Sequence, residues 1–340
     1  MKAKKEKPSY IAWLSSMRFA LNLLIGIGVI TALGTLVPQG QDPIFYRDHY
    51  GEMLGQIIVA LSMHKFYQAW WFQLLIGILC FTLLICAYQR LRKAATIKSA
   101  GSLLFHLAIA VILVGAAWSL GYAHSAAVEI SVGNKISLSP HGFKDGELTL
   151  ASFNIDYYPD FQPRQYTSDL SLTHYDGRDY QQLVYVNNPL RAGNLKIYQS
   201  SWGWIMNLKE VSQAVPQTIK IKNHGKYQLD DTKMVVLGTV FLPDYAEDNK
   251  RVFSRTPLPN NPHIGLTLYQ AGRLIDAAII APGQEAELGA YRFVFEGFTY
   301  YSGLQLKYDP GVNLVFLGFG LLLLGLMARY WQLIFPGKGG

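Results

Sequence analysis

The chain has 340 residues, is 50% hydrophobic and only 16% charged, and carries a formal net charge of +7. That charge is no footprint for DNA or RNA, because residues 123–310 hold 17 Lys/Arg against 19 Asp/Glu and the basic excess lies outside that block. The only two cysteines, Cys80 and Cys86, exclude a disulfide framework and a Cys-x-x-Cys redox pair; six residues apart, they do not share a helix face and read as packing residues.

In chain order, a basic tail (Lys2, Lys4, Lys5, Lys7, Arg18) precedes the first apolar stretch, Ala20–Leu36. Trp70–Tyr88 and Leu103–Leu120 follow, and Val312–Met327 closes the chain. A bilayer core of about 30 Å needs roughly 20 apolar helical residues, and with their flanks all four come close to that length. None has a Lys, Arg, Asp or Glu in its interior. The first stretch reads as a retained span and not as a cleaved signal, since the apolar run is long and two further spans follow with matching charge flanks. In the last, Gly318, Gly320 and Gly325 allow close helix contact.

Orientation follows from the basic residues. The N-terminal tail, the link with Arg90, Arg92, Lys93 and Lys98, and the C-terminal Arg329 and Lys338 are basic, whereas the 37–69 loop has only Arg47 and Lys65. The positive-inside rule puts both termini in the cytoplasm, and the 37–69 loop and the middle block outside. The expected architecture is a polytopic membrane protein with four transmembrane α-helices, three N-terminal and one C-terminal. A large extracytoplasmic all-β, sandwich-like domain is inserted before the last helix. The domains expected are 1–122 (helices about 17–36, 70–88 and 102–122), 123–308, and 309–340.

The β reading rests on period-two alternation. VEISVGNKISL sets two short runs around Gly133-Asn134, and TIKIKNHGKYQL does the same around Asn223-His224-Gly225. HIGLTLYQAGRLIDAAII turns at Ala271-Gly272, and in the run from Tyr291 the residues Tyr291, Phe293 and Phe295 share one side. NIDYYPDFQPRQYTSDLSL mixes strand with loop, and PLPNNP (257–262) is a loop or a weak subdomain link. The domain holds no catalytic constellation. His124, His141, His174, His224 and His263 are scattered without metal-ligand spacing, and there is neither a G-x-S-x-G nor a phosphate loop.

The sharpest single residue is His106, inside the third span about one turn past its cytoplasmic mouth. An ionisable group in a span points to function, and neutral imidazole is a common metal and haem ligand. A packed histidine donating to a neighbouring carbonyl is the competing reading. No other histidine lies inside a span, so a bis-histidine haem within the chain, or a quinone-linked cytochrome b, is disfavoured. His49 and His64, in the outward loop, are weaker candidates. Tyr198-Gln199-Ser200-Ser201-Trp202-Gly203 reads either as an aromatic platform for haem or peptide or, preferably, as a core strand ending in a turn. Asn187-Asn188-Pro189-Leu190 reads as a structural turn.

LSSMRFALNLLIGIGVITALGTLVPQ, HKFYQAWWFQLLIGILCFTLLICAYQR and SLLFHLAIAVILVGAAW resemble the three N-terminal spans of the ResB family of cytochrome c biogenesis proteins. FNIDYYPDFQPRQYTSDLSL with VNNPLRAGNLKIYQSSWGW, and GLQLKYDPGVNLVFLGFGLLLLGLMARYW, are similar to the family's domain and closing span. The resemblance covers nearly the whole chain, which is short for the family. It implies a System II haem-handling subunit working with a ResC/CcsA-type multi-span haem protein. The pair would move haem b across the inner (cytoplasmic) membrane and present it to Cys-x-x-Cys-His apocytochrome c for thioether attachment. On that resemblance the chain is part of a holocytochrome c synthase without a complete active site of its own. It has no Trp-rich haem motif, and His106 matches a transmembrane haem-ligating, metal-binding histidine. The Arg90–Lys98 cluster could meet haem propionates, though topology already explains its charge. A non-catalytic, membrane-anchored β scaffold for a partner complex is the alternative.

Overall fold

The computed structural model describes residues 16–91, 96–249 and 251–331. Lys2, Lys4, Lys5, Lys7, Arg92, Lys93 and Lys338, on which the orientation argument leans, lie outside the described residues. The chain divides into two compact units, one taking the described residues up to Ala123 and from Asp309 onward, the other His124–Tyr308.

The membrane unit is built on four apolar helices, Met17–Gly34, Trp70–Leu91, Ile97–Tyr122 and Val312–Arg329, here called the first to fourth spans. Trp70–Gln89, Ile97–Tyr122 and Val312–Arg329 are long and apolar enough to cross a membrane; Arg18–Gly34 is an apolar helix just short of that length. The third span begins before its apolar run. A capping box sets its start: Thr96 Oγ1 accepts from the Ser99 amide at 3.2 Å, and Ser99 Oγ from the Thr96 amide at 3.0 Å.

The third and fourth spans pack antiparallel along a seam of small residues seven apart. Gly101, Ala108 and Gly115 face Gly325, Gly318 and Gly311. A Cβ on Gly325 would lie 2.8 Å from the Phe105 amide nitrogen, and one on Gly318 3.0 Å from that of Ile112. Without side chains at these points the backbones approach closely, and dispersion replaces the hydrophobic effect as the attraction in lipid. Gly320, expected to share this role, meets nothing within 4 Å and sits off the seam. The Asp-Pro-Gly ahead of the fourth span locks one end of the pair. Asp309 Oδ1 accepts from the amides of Gly311 (3.0 Å) and Val312 (3.1 Å) and from Ser119 Oγ (2.6 Å). One carboxylate thus satisfies orphan helix donors and ties the two helices together.

The described residues of the middle unit are all-β, with a single 3₁₀ turn at Ser139–His141. Its spine is a six-stranded sheet in which the long strands Leu195–Glu210 and Tyr291–Tyr308 pair antiparallel, Tyr308 opposite Leu195 and Phe293 opposite Glu210. Two four-stranded sheets pack along this spine and enclose separate cores. One holds Leu148, Leu170, Leu172, Ile197 and Leu306; the other holds Met206, Leu237, Leu266, Phe293 and Phe295. The sandwich-like expectation is therefore realised twice on one pair of strands. A bulge at Gly297 (φ 140°) shifts the register after Phe295.

Two expected hairpins pair differently. His124–Ser131 pairs with Tyr291–Tyr308 while Lys135–Ser137 pairs with Glu147–Tyr157, and Gln217–Lys222 and Lys226–Asp230 likewise join different sheets. Gly133 and His224 (φ 81° and 57°) mark crossovers between sheets, not hairpin tips. Ala271-Gly272 does close a paired hairpin, with both residues at positive φ as a type I′ turn requires. PLPNNP is a loop, pinned where the buried Asp244 accepts from Arg255 Nη2 at 2.9 Å and Thr256 Oγ1 at 3.0 Å.

Candidate functional site

His106 lies nine residues into the third span, about 14 Å from its start at 1.5 Å per residue. The ring is half-buried, edge-on to Phe105 at 5.9 Å, and its Nδ1 stands 2.7 Å from the Ser102 carbonyl oxygen. A carbonyl only accepts, so a neutral ring must carry its proton on Nδ1 and the lone pair on Nε2. That is the tautomer and the carbonyl anchor of metal-bound histidines. It is equally the backbone bond a packed histidine makes in a span, so both readings survive this contact.

Leu113, Ala117 and Leu120 continue the helical stripe of His106. They line a cavity of about 580 Å³ between the second and third spans, with Phe72, Ile76 and Cys80 opposite. Its size is that of a small-molecule pocket and its walls are almost entirely apolar. His106 does not line this cavity; Leu113 is about 10 Å further along the helix. Cys80 and Cys86 are both half-buried thiols outside any disulfide.

The other histidines have surroundings of their own. His49 is exposed and stacks on Phe45 at 5.4 Å; His64 packs against Tyr46 at 5.8 Å, its Nδ1 buried and without a hydrogen-bond partner. In the β unit, His124 packs against Phe143 and Tyr308, His263 against Tyr245, and His174 and His224 occupy positive-φ turn positions. Among the described residues no group of three His, Cys, Asp or Glu is placed to hold a metal ion.

Tyr198–Gly203 sits in the middle of the strand Leu195–Glu210 and does not end it in a turn. Trp202 is half-buried and packs against both cores, and Trp204 stacks on Tyr300 at 3.9 Å. Burial first, and the neighbouring Tyr157 second, push the Tyr300 phenol up to about 12. These aromatics are the joint between the two cores. Asn187 (φ 65°) and Asn188, whose Nδ2 donates to the Leu183 carbonyl at 3.0 Å, form the structural turn expected there.

The clamp Ser119–Asp309 and the cavity between the spans escaped the sequence reading. The Asp-Pro-Gly motif signalled the first; nothing local signals the second, which takes both helices to make.

The ResB-like family matches residues 17–97 and 93–332. The curated "Cytochrome c biogenesis protein CcsB" of Gloeobacter violaceus is 24% identical, over 94% of this chain and 82% of its own length. That of Crocosphaera subtropica is 26% identical, over 93% of this chain and 84% of its own. Among solved structures, a cytochrome c haem lyase CcmF aligns over 95% of this chain and 42% of its own at 13% identity, with a TM-score of 0.33, too low to carry an argument.

Proposed function

Because the chain belongs to the ResB-like family, we propose that it is a membrane subunit of a haem-handling cytochrome c maturation complex, helping to carry haem across the membrane and present it to apocytochrome c. The observation that carries this reading is the family match along nearly the whole chain. His106 supports it, an in-span imidazole with Nδ1 held by the Ser102 carbonyl and Nε2 bearing the lone pair.

Haem is the cargo. Its ring is large and apolar, suited to a surface between helices, and an axial Nε2 would fix its orientation. In the attachment step a cysteine thiol adds across a haem vinyl. One S–H bond breaks, one S–C bond forms, the hydrogen goes to the adjacent carbon, and no net oxidation occurs. Such a step needs placement above all, with ring and thiols held together. The chain contributes the ligand in the membrane and a tethered β domain beyond it. Active-site groups beyond these, and the second axial ligand, come from a multi-span partner of the ResC/CcsA type. In this reading the complex sits in the cytoplasmic membrane with the chain's termini inside and the β domain outside, an orientation that the basic flanks support.

The test is the visible spectrum of the complex purified with its partner. His106→Ala is expected to lose the axial signal and most bound haem, with added imidazole restoring part of it. The scaffold reading, which the same Nδ1–carbonyl bond also allows, requires an unchanged Soret band and haem content in His106→Ala.

A further inference from the structure

The segment joining the first two spans carries an apolar face that is exposed among the described residues. It folds as two short helices, Pro43–Tyr50 and Glu52–Ala60, crossed where Gly55 backs onto the main chain of Arg47. Around the second helix at 100° per residue, three faces separate. Gly55, against the first helix, and Ile58 are buried. Glu52 and Gln56, hydrogen-bonded to each other at 2.5 Å, form a polar strip. Met53, Leu54, Ile57 and Leu61 form a third face, a stripe about 100° wide, and are 77%, 58%, 46% and 51% exposed.

The level of this stripe is fixed by ties to both span ends. Gln39 Nε2 donates to the carbonyls of Gly34 (3.2 Å), Val37 (2.9 Å) and Met63 (3.0 Å), and its Oε1 accepts from the Phe66 amide at 3.0 Å. Trp71 Nε1, in the first turn of the second span, donates to the Leu61 carbonyl at 2.9 Å. The last residue of the stripe is thus fastened beside a tryptophan at the end of a membrane helix, where amphipathic aromatics settle at headgroup depth. Tyr67 and Trp70, Leu33 and Leu36 at the first span's end, and Leu74 in the second are exposed as well.

We propose that Glu52–Ala60, with its C-cap Leu61, is an interfacial membrane helix, lying in the plane of the leaflet where the first two spans are joined, with Met53, Leu54, Ile57 and Leu61 in lipid and Glu52 and Gln56 toward water. The occupant of the face is the bilayer itself. A face meant for a protein would be covered only when that protein is present, and this difference makes the two separable.

The full chain, with Cys80 and Cys86 replaced by Ala, is reconstituted without any partner into nanodiscs of phosphatidylcholine and phosphatidylglycerol. Single nitroxide-labelled cysteines at Met53, Leu54, Gln56 and Ile57 are compared by power saturation with oxygen and a water-soluble nickel chelate. Labels at 53, 54 and 57 are expected about 5–10 Å below the lipid phosphates, with the label at 56 in water. Equal water access at all four positions overturns the proposal, and that is also the result a protein-docking face gives here. The unmodified chain supplies a second measurement. A lipid with a photoactivatable group high on its acyl chain is expected to mark the peptide containing Met53–Leu61, and marking confined to the spans overturns the proposal. Neither readout depends on haem, so failure here leaves the role of His106 untouched.

Discussion

At residue scale, two tyrosines give the β unit a pH dependence that composition alone would not suggest. Tyr175 is 1% exposed, and burial first, then Asp176, Tyr308 and Tyr180, raise its phenol to about 12; Tyr300 is raised similarly. In the unfolded chain each phenol ionises near pH 10, roughly the unperturbed value. Between there and about 12 the folded state binds more protons, so stability falls as pH rises. The contribution is full below about 10 and is lost through the folded value, on the order of 2–3 kcal/mol per group. Urea unfolding of the full chain in detergent, followed by tryptophan fluorescence at about pH 9 and about pH 11, should show this loss. Tyr175→Phe should flatten the dependence; an unchanged slope would mean another group carries it. His106 was legible at this scale because an ionisable side chain stands out in an apolar run. Its Ser102 partner is four residues back on the same helix, within reach of the expectation that a packed or ligating ring bonds a carbonyl. What the sequence left open, ligand or packing, this one bond also leaves open, since it serves both.

At the scale of elements, the spans were legible because a bilayer demands a length and a polarity that composition reports directly. Strands were legible from alternation, but their partners were not. Gly133-Asn134 and Asn223–Gly225 do reverse or redirect the chain, yet a turn residue dictates only local φ and ψ. Of the flanking strands, His124–Ser131 found its partner far away in Tyr291–Tyr308, and the other three paired with the strand on their other side in the chain. The glycines show the same limit: three were visible in the fourth span, and only the two spaced by seven, Gly318 and Gly325, lie on the seam. That difference makes a controlled test. Gly318→Leu should drive a side chain into Ile112 and the Ala108 carbonyl and part the helices, with loss of most monodisperse protein on size exclusion. Gly320→Leu, with open space around it, should elute like the wild type. Equal behaviour of the two variants would remove the seam from the account.

For the whole molecule, the division at Ala123 and Asp309 gives each unit its own core. The β unit encloses two apolar clusters of buried side chains without help from the spans. Residues 124–308 expressed alone should therefore be soluble and melt cooperatively. Amide exchange in Leu195–Glu210 and Tyr291–Tyr308 should be the slowest, because both cores rest on that pair. A fragment that aggregates or exchanges uniformly would show that the domain needs its anchor to fold. One further property follows from how the domain begins and finishes. Its opening strand runs beside its closing one, with His124 set against Tyr308. The two points where the chain passes between bilayer and domain are thus neighbours, held by the domain's own backbone. A distal loop of the domain can be lengthened and the gap left for the two flanking helices keeps its width.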